Sequence, residues 1–306
     1  MRFAISIPQF VGDGAFDPAE FRAHMARAEA LGFHSAWTQE QVLGSMPHLA
    51  PMETMTYAAA CTERIRIGCA VFVTPLHSPV HLAKSLSTLD QISRGRLEVG
   101  VGIGGRRMFS AFAVEPDHLV TRFVEGLQLM KALWTESRVT FKGRYWQLEG
   151  AAMEPKPLQK PHPPVWFGAA HPDAVRRAAR LGDGFFGAGS QPTVRFAEQV
   201  RVLREAVAEA GRSVDGFPIA KRVYIAVDED TARVRQRVHA ALHALYANSG
   251  ARNLESVAVF GPPSACVDGL REVANAGAGM ILLTPLFDET AQMERLAADV
   301  IPRMLE

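Results

Sequence analysis

Two spacings of apolar residues take turns along this chain. Short runs rich in β-branched residues are followed by longer stretches whose apolar positions recur every three or four residues, the alternation of a strand with an amphipathic helix. Arg2 to Ile7 is the first such run. Asp17-Pro18 then supplies an N-cap with proline at the first helical position, Phe21, Met25 and Ala28 share a face, and Leu31-Gly32 closes the helix. Ser35 to Thr38 predicts a second strand ending in Gln39-Glu40-Gln41. A short helix near Met52 to Ala60 leads to a third strand at Ile65 to Val73, and Ser78-Pro79 opens a helix with Leu82, Leu86 and Leu89 inward. The fourth strand runs from Leu97 into Gly100-Val101-Gly102-Ile103-Gly104-Gly105, where backbone N–H groups can approach a ligand without interference from Cβ atoms.

The rhythm breaks between Gly102 and Pro164, where about sixty residues separate two strands that elsewhere lie about thirty apart. This insertion, about 106–164, has a helix of its own with Phe123, Leu127, Met130 and Trp134 on one stripe. Val139 to Leu148 follows as a hairpin turning at Lys142-Gly143, then a stiff return through Pro155, Pro157, Pro161, Pro163 and Pro164. The repeat resumes at Val165 to Gly168, with further strands at Phe185 to Ala188, Ala220 to Val227 and Met280 to Thr284. Helices are predicted near Asp230 to Leu245, Pro263 to Ala276 and Glu289 to Met304, whereas Tyr246 to Pro263 shows no periodicity. Eight βα units with short connections select an α/β fold, a (βα)8 TIM barrel with an insertion after strand 4, as a single domain over 1–306.

Composition narrows the partners. A formal charge of +1, with 48% hydrophobic and 21% charged residues, argues against nucleic acid or an anionic membrane. No apolar run approaches the length of a membrane span, and the opening strand is followed by Pro8 rather than by a targeting segment, so a cytoplasmic location is expected. Cys61, Cys69 and Cys266 have no paired spacing, and His77 and His81 flank a helix-opening proline with no carboxylate beside them, so no metal is expected.

In a barrel of this kind, chemistry sits at the carboxyl ends of the strands and the opposite face serves stability. Asp90, Arg94, Arg96 and Asp183 precede strands and fall on the stability face. Gln9, Glu40, Gln41, Thr74, His77, Gly102, Gly104, Arg106, Arg107, Ala169, Ala170, His171, Ser190 and Thr284 follow strands and ring the active face. Gly168-Ala169-Ala170 precedes a proline-initiated helix, which suits a phosphate as well as it suits tight helix–strand packing. Arg106 and Arg107 can add contacts to an anionic tail. Glu40 is the general acid/base candidate, or else a hydrogen-bonding structural carboxylate, and His77 a proton donor or cofactor contact, or else a plain loop histidine. Phe10, Phe109, Phe112 and Trp146 are candidates for an apolar pocket. The spacing Gly100-x-Gly102-x-x-Gly105 formally matches a dinucleotide fingerprint. No helix start occurs between Arg106 and Pro116, however, and no second strand precedes an acidic residue, so a Rossmann site is not predicted.

Five segments in order carry a resemblance: Arg27-Ala28-Glu29-Ala30-Leu31-Gly32-Phe33 with Trp37; Thr62-Glu63-Arg64-Ile65-Arg66-Ile67-Gly68; Leu89 to Leu97 running into Gly100-Val101-Gly102; Lys156-Pro157 with Pro163-Pro164; and Ala178-Ala179-Arg180-Leu181-Gly182-Asp183-Gly184. In these the chain resembles the bacterial luciferase-like superfamily of flavin- and deazaflavin-dependent oxidoreductases. The resemblance implies a usually dimeric barrel and a small-molecule substrate. It also implies a two-electron cofactor whose phosphate is held at Gly168 to His171 and Gly102 to Gly105, with Val71 to Thr74 backing its ring, often through a bulge or a non-proline cis peptide. Relatives that oxidise alcohols or sugar phosphates commonly carry Asp-His where this chain has Glu40-Gln41, which points to a reductase or monooxygenase using reduced cofactor. The arginines beside the glycine loop and the passage from Thr74 to Pro79 favour coenzyme F420, with FMN as the alternative. A cofactor-free hydrolase or lyase using Glu40 and His77, and a barrel that has lost catalysis, are the rival readings.

Overall fold

A computed structural model describes residues 1–12, 15–247 and 254–306, with the backbone alone at 106–108. The βα alternation is realised as β1 (Arg2–Ser6), α1 (Pro18–Ala30), β2 (Ser35–Thr38), α2 (Pro51–Ala60), β3 (Arg66–Val73), α3 (Pro79–Ile92) and β4 (Leu97–Gly102). The insertion contributes α4 (Leu119–Thr135) and an antiparallel hairpin, β5 (Val139–Lys142) with β6 (Gln147–Ala151). The repeat continues through β7 (Val165–Gly168), α5 (Pro172–Leu181), β8 (Gly184–Gly187), α6 (Thr193–Glu209), β9 (Ile219–Val227), α7 (Thr231–Leu245), β10 (Ala258–Gly261), α8 (Pro263–Asn275) and β11 (Met280–Pro285). A closing helix follows, α9 (Glu289–Arg295) and α10 (Ile301–Leu305) joined by a π-turn at Leu296–Val300.

Eight parallel strands close the barrel in the order β1-β2-β3-β4-β7-β8-β9-β11, with β11 returning to β1. Two local expectations are corrected. The stretch without periodicity contains a ninth parallel strand, β10, too short to show a pattern of its own. The passage after the glycine loop, in which no helix start was seen, winds into a 3₁₀ helix at Arg106–Phe112.

β10 matters because of where it pairs. The first half of β9 is bonded to β8, from Phe185 against Ile219 to Gly187 against Lys221, while the second half pairs with β10, from Ala258 against Tyr224 to Gly261 against Val227. The β8–β9 seam therefore parts above Lys221, which opens room at the carboxyl end of the barrel.

Alternate β-strand residues point inward, and Ala4, Trp37, Trp166, Phe186, Ala220, Met280 and Leu282 fill the barrel axis. At the amino face, Arg96 is buried and donates to the carbonyls of Ala59, Thr62, Ile65 and Ser93 and to Thr62 Oγ1, at 2.7–2.9 Å. It thereby pairs carbonyls at the end of α2, which have no partner within that helix. Asp183 accepts from the N–H of Val165 at 2.9 Å and Asp90 holds Gln159. These residues are structural staples, as their position before the strands predicts.

Candidate active site

Arg222 of β9, Gln39 after β2 and Gln9 after β1 form a hydrogen-bonded cluster at the centre of the active face. The β9 alternation that turns Ala220 inward also turns Arg222 and Tyr224 inward. Arg222 Nη1 donates to Gln39 Oε1 at 2.7 Å, and Nη2 donates to the carbonyls of Thr38 and Ala70 at 3.3 and 3.2 Å. Gln9, after β1, donates to the carbonyls of Gln39 and Leu49 at 3.0 and 2.9 Å and accepts from the N–H of Gln39 at 2.7 Å. A buried guanidinium with three acceptors is satisfied rather than stranded. Two cavities, of about 610 and 540 Å³, meet at Gln39, Arg222 and Tyr224, which line both.

The smaller cavity lies over β3, β4, β7 and β8. Its floor is Val71, where the register of β3 against β4 shifts between Cys69 and Phe72 and the Ala70–Val71 peptide is cis, the irregularity expected at this strand end. Gly102 and Gly168 pack so closely on Val71 that a Cβ on either would lie within 2.7 or 2.8 Å of its methyl groups. Gly104, Ala169, Ala170 and His171 also line the cavity. The N–H groups of Ala169, Ala170 and His171 make no hydrogen bond to any described residue, and they stand where α5 begins. Arg177, one turn into α5, lines the same cavity and forms no ion pair with any described residue. N–H groups without a described partner, a helix N-terminus and a guanidinium without a described ion pair thus stand together on the wall of this cavity, an arrangement of the type that suits an anion.

Lys221, which faces away from the axis, anchors the far wall. Its Nζ donates to the carbonyls of Ala188 and Gln191 at 2.6 and 2.9 Å, fixing the loop that carries Gly189 and Ser190 to the cavity. Burial, and secondarily the neighbouring Arg222, hold its amine down to about 7.

The remaining predicted residues fall elsewhere. Glu40 lines neither cavity: its Oε2 accepts from the N–H of Val73 at 2.6 Å and its Oε1 lies 2.8 Å from His77 Nε2. The carboxylate is buried behind the end of β3 with both oxygens occupied. Thr74 Oγ1 lies 3.5 Å from the Gly102 carbonyl, outside the cavity wall, and Gly105 caps the 3₁₀ helix. His171 contributes its backbone, its ring being used to cap α5 through the N–H of Asp173. The side chains of Arg106 and Arg107 lie outside the described residues. Of the four aromatic candidates only Phe10 reaches a large cavity. Phe109 packs with Val114 and Leu119, Phe112 packs against that cluster, and Trp146 lies under Arg122, 4.9 Å from its guanidinium carbon.

The larger cavity is bounded by β1, β11, α1 and α7. Its walls include Phe10, Phe16, Phe21, Phe287 and Trp37. Glu289 lines it without a hydrogen bond or ion pair to any described residue, and burial pushes its carboxyl up to about 7. His24, buried in α1, is held down to about 4 by burial; its Nδ1 lies 3.0 Å from Thr290 Oγ1, and its Nε2 has no hydrogen-bond partner among the described residues.

Arg222, Tyr224, Arg177 and Glu289 were not singled out in the sequence. For the first the signal was present: Lys221-Arg222 is a charged pair in the middle of an otherwise apolar strand, Ile219–Val227. Arg177 and Glu289 look like any charged residues in a helical turn.

Comparison with known proteins bears on the fold and the family. The family model described as luciferase-like monooxygenase matches residues 1–279. The protein y4vJ of Sinorhizobium fredii is 30% identical over 227 residues, 70% of this chain and 65% of that protein, so the chain spans slightly under two thirds of that relative. An F420-dependent glucose-6-phosphate dehydrogenase of Intrasporangium calvum is 26% identical over 94% of this chain and 95% of its own length. The crystal structure of monooxygenase RslO1 from Streptomyces bottropensis superposes with a TM-score of 0.86 over 99% of both chains at 26% identity. Among the described residues no helix is long and apolar enough to cross a membrane. A (βα)8 barrel matched by one family model over residues 1–279, this chain belongs to the luciferase-like monooxygenase family of oxidoreductases.

Proposed function

We propose that this chain reduces or oxygenates a small organic substrate with reduced coenzyme F420. The cofactor would occupy the smaller cavity and the substrate the larger one. The observation that carries this reading is the set of free N–H groups at Ala169, Ala170 and His171 with the unpaired Arg177, beside a second cavity that shares Gln39, Arg222 and Tyr224. These donors fit the phosphate of a nucleotide-like cofactor, and Val71, with Gly102 and Gly104 beside it, offers a flat apolar seat for a ring. When bound, such a group supplies two-electron hydride chemistry, and the protein orients it and excludes water.

The chain's own residues do the positioning. Arg222 and Gln39, joined by a hydrogen bond, stand at the junction of the cavities and would lie between cofactor and substrate. Glu40 bridges Val73 and His77 and so fixes the strand end that floors the cofactor cavity. Neither Glu40 nor Gln41 lines the larger cavity, which fits use of a reduced cofactor better than abstraction of a substrate proton by a base at that position. F420 is favoured over FMN by the full-length relative named for it, while the likeness to RslO1 keeps oxygenation in view.

Titration of the purified protein with F420 and, separately, with FMN tests the assignment. Tight binding of F420 alone supports it. Tight binding of FMN alone moves the protein to flavin-dependent oxygenation, and binding of neither removes the oxidoreductase reading.

A further inference from the structure

The larger cavity differs from the cofactor cavity in the sign of its chemistry. Asp17, Glu20, Asp288 and Glu289 all line it, and among the described residues the one cation in its wall is Arg222, three of whose hydrogen bonds are already committed to protein oxygens. Asp17 is engaged as the cap of α1, and Asp288 pairs with Arg237 at 2.8 Å. Glu289 has no partner among the described residues. An unpaired carboxylate beside aromatic walls is unfavourable until a ligand supplies its counter-charge.

Other groups in the wall have the same deficit. His24 is 3% exposed, and among the described residues neither its Nε2 nor the buried Thr284 Oγ1 has a hydrogen-bond partner. When the proton of His24 sits on Nδ1 and is donated to Thr290, Nε2 is an acceptor. The cavity thus offers a carboxylate and a hydroxyl oxygen that accept hydrogen bonds, and an imidazole nitrogen that accepts one in this tautomer. At its rim the protein already uses the complementary arrangement. The Arg237 guanidinium sits 3.7 Å from the centre of the Phe287 ring while it pairs with Asp288.

We infer that the larger cavity selects substrates that carry a protonated amine on an apolar or aromatic body, with Glu289 as the residue that determines this preference. An ammonium brings three donors and a positive charge to a wall of acceptors, and its hydrocarbon body lies against Phe10, Phe16, Phe21 and Phe287. A sugar phosphate would bring further negative charge to a cavity whose cation is already engaged. This inference rests on the reading of the larger cavity as the substrate chamber.

The test is equilibrium binding by calorimetry to the full chain at pH 7.5, using 2-phenylethylamine, the neutral 2-phenylethanol and the anionic 3-phenylpropionate. The amine is expected to bind at least tenfold more tightly than either analogue. In Glu289→Gln that advantage should shrink to less than threefold while the alcohol is unaffected. Glu289 makes no hydrogen bond to a described residue, so the variant should fold, and circular dichroism checks this; Glu289→Ala provides a second replacement. An amine that binds no better than the alcohol, no measurable amine binding, or a preference that survives in both variants would overturn the inference. The cofactor titration is independent: amine selectivity without F420 or FMN binding would uphold this site and remove the oxidoreductase reading.

Discussion

Gln39 and Arg222, 183 residues apart in the chain, are joined by a 2.7 Å hydrogen bond at the point where the two cavities of the barrel mouth meet. The same guanidinium ties down the carbonyls of Thr38 and Ala70, so β2, β3 and β9 are held together by one side chain. Arg222→Lys keeps the charge but cannot span the three acceptors. It should lower stability by about 1–3 kcal/mol, through buried oxygens left unpaired, and weaken cofactor binding as the strand ends separate. Chemical denaturation and cofactor titration of the same sample check both effects.

The phosphate contact proposed at the start of α5 predicts a separation of binding from stability. Ala170→Leu should obstruct the N–H groups at the start of α5, and Arg177→Met should remove the unpaired charge. Each is expected to weaken cofactor binding by about tenfold or more, while unfolding free energy changes by less than about 1 kcal/mol. The effect of Arg177→Met should diminish in high salt, because the lost term is electrostatic. Unchanged affinity in Ala170→Leu would remove the phosphate assignment.

Glu40 offers a choice between two roles that kinetics can separate. If its carboxylate holds the end of β3 through Val73 and His77, Glu40→Ala lowers cofactor affinity and stability together. A proton-transfer role would lower turnover and leave cofactor affinity unchanged. The occupied oxygens favour the first outcome, with a stability loss of about 2 kcal/mol.

Two buried groups oppose each other in acid. His24 is held down to about 4, so between pH 6.5 and 4 the unfolded chain binds a proton that the folded chain refuses, and stability falls with pH by up to about 3 kcal/mol from this residue. His48, also held down to about 4 by burial and secondarily by Arg222, acts in the same direction. Glu289, pushed up to about 7, is protonated more readily when folded, so it adds stability as pH falls from 7 to 4.5. Glu289→Gln should therefore be more stable than the parent above pH 7 and lose that advantage toward pH 4.5, giving a steeper acid decline. Melting temperatures from pH 4 to 8 read this directly.

Arg96 supplies the contrasting case, a buried arginine on the stability face. Arg96→Met leaves several carbonyls around the end of α2 unpaired and is expected to cost about 3–5 kcal/mol, with cofactor affinity in the folded fraction unchanged. Loss of affinity without loss of stability would reverse the assignment of the two faces.

The barrel is legible along the chain, because strand and helix periods, N-caps such as Asp17-Pro18 and the count of eight βα units are local signals that survive without knowledge of neighbours. The sequence also placed Arg96 and Asp183 on one face and Gly168 to His171 on the other, since position before or after a strand fixes the face. Side-chain direction and the partners each group meets come from the folded chain alone. Glu40 follows a strand as an acid/base candidate should, yet its carboxylate turns behind β3 toward Val73 and His77. Arg222 sits inside a strand and still reaches the cavities, because the parting of β9 from β8 leaves its inward side chain at the junction. Glu289 lies in an ordinary helical turn, and its lack of a partner arises only when α1 and β11 enclose it. Hydrogen-bond partners and desolvation depend on residues distant in the chain, and no local pattern encodes them.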